Sequence, residues 1–262
     1  MSFVTANGVR LHIQRLGEKG APTVVFLHGL ILDNLSSWYY TVANPIARHA
    51  EVLLYDLRGH GLSERPPEGY TVDDSVADLE ALLDVLGIEH PVYLVGNSYG
   101  GLVALAFAQA LPERVAGLGL VDAHFPVAGW SEQVSDTLMI AGVWVDEPRV
   151  KAWLEHNNKR HHRRRMGAAK EMLGKTTMVA DLRAAQPFSN EALSKITCPT
   201  LALYGEHSDV IERGHELAQY IPNCELRILE EASHSILMER AGEVRDHLIG
   251  WLGKQAVPLR DI

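Results

Sequence analysis

Four short stretches of this sequence carry residue types that could do chemistry together. The first is Gly96-Asn97-Ser98-Tyr99-Gly100, which fits the spacing G-x-S-x-G between an apolar run at 91–95 and an apolar helical pattern at 102–111. A serine on a sharp turn from strand to helix projects its hydroxyl from the carboxyl edge of a sheet, and the crowding there demands small residues two positions to either side. Gly101 lets the following helix pack closely on the strand. The helix N-terminus also aims free N–H groups and partial positive charge at the same place. A hydroxyl is a weak nucleophile until a base takes its proton and an acid orients that base.

Base and acid come from two further stretches, in the chain order serine, acid, histidine that such a turn uses. Gly205-Glu206-His207-Ser208-Asp209 follows the apolar run 200–204, and Glu230-Glu231-Ala232-Ser233-His234 follows 225–229. Both follow strand ends on the edge that holds Ser98. The expected base is His234 and the expected acid Asp209. Asp122, at the end of the run 115–121, and Glu206 remain open as acids, while His207 reads as a loop neighbour. The fourth stretch, His28-Gly29-Leu30, leaves the run 23–27. A developing oxyanion needs preorganised donors, and the backbone N–H groups of Leu30 and Tyr99 are the expected pair. His28 is read as a brace for this loop, and Trp38 and Tyr39 just beyond it as candidates to touch a substrate. No ligand set for a metal surrounds these residues, so neither metal nor cofactor is expected.

The elements that must position these residues alternate. Asn7-Gly8 joins 2–6 to 9–16 as a hairpin. Runs at 23–27, 52–55, 91–95, 115–121, 200–204 and 225–229 are apolar on consecutive positions, as strands buried on both faces are. Between them lie helical patterns at 72–86, 102–111, 212–220 and 242–252. The first has apolar residues at 72, 76, 79, 82, 83 and 86, with Thr71 as N-cap before Asp73 and Asp74. This rhythm predicts an α/β fold with a mostly parallel eight-stranded sheet covered on both faces. It breaks at 125–185, which reads as helix throughout (132–144, 148–162 and 166–184) and as an inserted cap. The core would then be 1–124 with 186–262.

With 262 residues and 47% hydrophobic content the chain can bury a large core. A net charge of −9 argues against nucleic-acid binding by the whole surface. No secretory leader and no apolar stretch of the roughly 20 residues that span a bilayer is visible. Cys198 and Cys224 have no metal-ligand spacing and read as reduced core thiols, so a cytoplasmic location is expected. From 151 to 170 seven basic residues (Lys151, Lys159, Arg160, Arg163, Arg164, Arg165, Lys170) stand against Glu155 alone. They read as a solvated helix face, or as a docking patch for an anionic leaving group.

The segments FLHGL, YDLRGHGLSERP, LVGNSYGG, LYGEHSD and EASHSILMER, in that order along essentially the whole chain, resemble those of α/β-hydrolases. The resemblance implies a Ser98–Asp209–His234 triad working through an acyl-enzyme on a carboxylic ester or thioester. The substrate would be a small molecule, free or bound to coenzyme A or a carrier protein. Ser98 departs from the aspartate nucleophile of the family's epoxide hydrolases and dehalogenases. GNSYGG is similar to the turn of its C–C bond hydrolases, yet Ser235 stands where those enzymes carry tryptophan after the histidine. Cofactor-free perhydrolase chemistry shares the same residues. A non-catalytic ligand-binding member is the alternative of another class. DLRGHGLS (56–63) fits a structural turn beneath the site.

Overall fold

The structure is a computed structural model. It describes residues 2–20, 22–127, 129–131, 134, 138 and 160–255, with side chains resumed at 165. Eight strands form one sheet in the order β1-β2-β4-β3-β5-β6-β7-β8. In chain order, β1 to β8 are Ser2–Ala6, Val9–Leu16, Thr23–Leu27, Glu51–Tyr55, Val92–Asn97, Val115–Val121, Thr200–Gly205 and Cys224–Leu229. The hairpin β1–β2 adds antiparallel to β4 at one edge, and β4, β3, β5, β6, β7 and β8 run parallel. β3, β4, β5 and β7 are buried along nearly their whole length, as their unbroken apolar runs require. β8, at the edge, is half exposed, and there the expectation of a strand covered on both faces is too strong.

Alternate side chains feed two cores. Val25 and Leu27 face the layer of Val72–Val85 and Tyr99–Ala110, while Val24 and Phe26 face the layer of residues 38–46 and Ala241–Lys254. The helix Val72–Val85 opens with the expected cap, Thr71 accepting from the Asp74 N–H at 3.0 Å, and Asp74 answers the Thr71 N–H at 3.0 Å. The helix after Ser98 begins at Tyr99, three residues before its apolar pattern, because small glycines carry its first turn. Short helical pieces over 36–46 went unread because their sequence is too short for a helical period. Between β6 and β7 the described residues include the helices Arg160–Lys175 and Met178–Arg183 and no strand. The helices expected over 132–144 and 148–162 fall wholly or mostly outside the described residues.

Register fixes where the loops emerge. Leu27 pairs with Gly96, and Asn97 with Val121, so the turns after β3, β5 and β6 leave the sheet side by side. Ligands in parallel sheets bind in the crevice outside such strand ends. Gly100 is required there, because a Cβ would overlap the backbone carbonyls of Leu27 and His28. Gly100→Ala should therefore destabilise the fold by about 2–3 kcal/mol. Gly250→Ala, in open space on the last helix, should stabilise it by about 0.5–1 kcal/mol. Urea unfolding of the two variants checks both signs.

Candidate active site

Ser98 sits at φ 54 and ψ −117, a strained conformation for a residue with a side chain, between β5 and its helix. Its N–H donates to the Val121 carbonyl (3.0 Å), and its own carbonyl accepts from Gly101 (3.0 Å) and His124 (3.2 Å). These bonds hold the turn against the end of β6. His234, half-buried in the turn after β8, places Nε2 3.2 Å from Ser98 Oγ. The sequence paired these two across 136 residues, and the structure brings them together.

The acid differs from expectation. The carboxylate on the far side of the His234 ring belongs to Asp122, whose Oδ2 lies 3.4 Å from Nδ1. Asp122 is fully buried, one residue past β6 at φ 46. At 3.4 Å the contact is an ion-pair distance, longer than a formed hydrogen bond. Asp209 is exposed and reaches His234 as a charge at longer range. The reason lies in the turn after β7. Ser208 donates its N–H to the Gly205 carbonyl (3.1 Å) and turns its side chain inward, taking the Val210 N–H at 3.2 Å. The inward slot thus goes to Ser208, and Asp209 points out. Glu206 and His207 are also exposed, Glu206 accepting the Glu231 N–H at 3.0 Å. With Glu231 they bring three ligand atoms within 4.8 Å of one another, at the surface.

Electrostatics follow burial. Desolvation raises the Asp122 carboxyl above its usual range, and His234, Ser208 and the Gly205 N–H oppose that rise. His234 is lowered by its own burial, but Asp122 and then Asp209 more than offset this, so its imidazolium is favoured overall. His124, a residue the sequence did not single out, packs its ring edge-on to His234 with centroids 5.0 Å apart. Trp130 Nε1 donates to its Nδ1 at 3.3 Å, and burial, then the neighbouring His234, takes its pKa down to about 4. It is a neutral imidazole beside the base. Its place one residue beyond the buried Ala123 was not visible as chemistry.

A Cβ on Gly29 would stand 3.4 Å from Ser98 Cβ, so the turn after β3 lies against the serine. Neither Leu30 nor Tyr99 spends its N–H on an acceptor among the described residues. His28 braces the loop, its Nδ1 bonding the Gly29 carbonyl (2.7 Å) and its Nε2 the Leu57 N–H (3.0 Å). Trp38 does not reach the site. It is fully buried in the core on the other face, with Nε1 donating to the Leu27 carbonyl at 3.0 Å and its ring 5.0 Å from Phe26. Tyr39 packs, half-buried, against that same core. In the segment after β6, Trp130 is the partner of His124, and residues 139, 144 and 153 lie outside the described residues.

A serine on a strained strand-to-helix turn, an imidazole in reach and free N–H groups at the carboxyl edge of a parallel sheet together make the layout of an α/β-hydrolase. A family model described as the alpha/beta hydrolase fold matches residues 22–241, and the chain belongs to that family. Over 151 residues the chain is 37% identical to a 2-hydroxy-6-oxo-2,4-heptadienoate hydrolase of Pseudomonas putida, covering 56% of this chain and 51% of that one. Over 148 residues it is 33% identical to a lipase of Mycobacterium tuberculosis, covering 55% and 54%. The enol-lactonase of Burkholderia xenovorans superposes with a TM-score of 0.75 at 26% identity, over 96% of this chain and all of that one. The chain spans about half the length of the curated relatives it matches. No helix among the described residues is long and apolar enough to cross a membrane.

Asparagine at either acid separates the two carboxylates. Asp122→Asn should lower kcat on an activated ester by about 10³–10⁴-fold, the scale of losing an orienting acid. Its acidic limb in kcat/KM should move to lower pH, because the imidazolium loses the negative charge that raised its pKa. Asp209→Asn should cost less than about tenfold and move the limb the same way by less, since an exposed charge is screened. The larger effect at Asp209 would reverse the assignment of the acid.

Proposed function

We propose that this protein is a serine hydrolase that cleaves a carboxylic ester or thioester through an acyl-enzyme. The observation that carries the reading is the 3.2 Å approach of His234 Nε2 to Ser98 Oγ on a strained turn. Ser98 Oγ attacks the carbonyl carbon as His234 Nε2 takes its proton. The C=O electrons move onto oxygen, which the Leu30 and Tyr99 N–H groups receive. Asp122, buried on the far side of the ring, stabilises the imidazolium formed there. Collapse expels the leaving group with the proton from His234, and water, deprotonated by the same imidazole, releases the acid. The likeness to a lipase and to an enol-lactonase supports acyl transfer. The basic run of 151–170 makes a coenzyme A or carrier-bound thioester a reasonable form of substrate. Arg165 from that run reaches the turn after β3, donating to Ser36 Oγ at 3.1 Å. Residues 151–159 lie outside the described residues.

The Pseudomonas relative favours a second reading, hydrolysis of a C–C bond in a ring-fission dienol acid by the same residues. One panel decides between them. Activated esters, acyl-CoA thioesters and a ring-fission dienol acid, the last followed by its visible absorbance, are assayed with wild type and Ser98→Ala. The ester reading expects ester or thioester turnover, a fall in kcat of about 10⁴-fold or more in the variant, and fluorophosphonate labelling of wild type at Ser98. Turnover of the dienol acid alone would select C–C cleavage, and no turnover with no labelling would leave a ligand-binding protein.

A further inference from the structure

The turn Asp56–Ser63 has no step in the reaction above, yet its side chains reach into the loop that supplies the oxyanion donor. Asp56, buried, accepts the Leu35 N–H (2.9 Å), the Leu62 N–H (2.8 Å) and a ring nitrogen of His12 (2.8 Å). His60, buried in the same turn, bonds the Arg58 carbonyl through Nδ1 at 2.9 Å and the Ile31 N–H through Nε2 at 3.1 Å. A carbonyl can only accept and an N–H can only donate, so His60 must be the neutral tautomer with its proton on Nδ1. Burial, then the neighbouring His28 5.0 Å away, takes its pKa down to about 3, which disfavours the charged ring.

What His60 holds is an unusual piece of backbone. Ile31 sits at φ 63, a left-handed conformation that is strained for a β-branched residue and persists only where its surroundings hold it. Gly29, on the other side of Leu30, gives its N–H to Asp33 Oδ2 at 2.9 Å. The N–H groups before and after Leu30 are therefore both engaged, and the Leu30 N–H between them stays available beside Ser98. We propose that His60 is a positioning residue for the oxyanion hole, holding the Ile31 peptide so that the Leu30 N–H faces the developing oxyanion. Met172, from the helix Arg160–Lys175, packs against Gly59 beside it, so the brace is covered on its outer side.

This inference rests on Ser98 being the nucleophile, and labelling of wild type at Ser98 by a fluorophosphonate tests that separately. On active-site-titrated enzyme, His60→Ala should lower kcat on an activated ester by about 10–100-fold with KM nearly unchanged, part of the 10²–10³ that one lost oxyanion donor costs. Affinity for a tetrahedral boronate should fall in proportion. His60→Gln, whose side-chain oxygen can take the place of Nε2, should recover most of both. If His60→Ala does not fold, replacing the Ile31 amide by an ester removes the same N–H with His60 in place, and the same loss in kcat and boronate affinity should follow. Unchanged kcat per titrated site in His60→Ala or in the Ile31 ester would overturn the proposal. So would a loss confined to KM, or a His60→Gln variant no better than His60→Ala.

Discussion

The backbone of Ser98, at φ 54 and ψ −117, is the constraint on which the rest of this architecture depends. A residue with a side chain keeps such a conformation only where its surroundings over-determine it. Here the surroundings are backbone. A Cβ at Gly96 would overlap Gly100 and Gly101, one at Gly100 would overlap the end of β3, and one at Gly101 would overlap Ala123. Strand, turn, helix and both neighbouring strands are thus in contact with almost no side chain between them. The strain holds the hydroxyl out of the sheet edge, and the same closeness brings the turns after β3 and β6 against it. One set of glycines therefore positions the nucleophile, the oxyanion loop and the buried carboxylate together.

That carboxylate shows how position outweighs residue type. Asp122 and Asp209 are the same side chain at the ends of adjacent strands, and they differ in burial. Charges buried in a low-dielectric surrounding act strongly, whereas an exposed charge is screened. Burial raises the Asp122 carboxyl and His234 beside it opposes that rise, while Asp122 in turn is the main influence favouring His234 as a cation. His124 adds a second, uncharged ring without disturbing that balance, since its own burial disfavours protonation.

Much of this was legible in the residues. Consecutive apolar runs located six strands and the Asn7-Gly8 turn the two of the hairpin, each to within a residue or two, and the G-x-S-x-G spacing with a histidine after β8 found the pair now seen at 3.2 Å. What failed shares one cause. A run such as Thr200–Gly205 says where a strand ends, but not which of the next four residues turns inward. The answer, Ser208 in and Asp209 out, depends on hydrogen bonds of the turn itself. Trp38 illustrates the same limit: it follows the oxyanion loop closely in sequence, yet the intervening short helical turn carries it through to the opposite core. Sequence distance from a reactive residue does not measure which face of a sheet a side chain joins.

The turn Asp56–Ser63 links these levels. Its charged members are satisfied inside the fold, Arg58 by the two Asp78 oxygens and Asp56 by two backbone N–H groups and His12. A buried ion pair of this kind gives little net stability against an apolar alternative, but breaking it strands a charge and costs about 3–5 kcal/mol. It therefore holds geometry more than it adds to stability. On its outer side the same turn receives the helix Arg160–Lys175, through Met172 at Gly59 and the ion pair Arg65–Glu171 at 2.7 Å, while Arg165 reaches Ser36 in the segment after β3. The helix that enters from between β6 and β7 thus stands on the support that shapes the oxyanion loop. Helix and loop therefore rest on one support, the backbone and side chains of Asp56–Ser63.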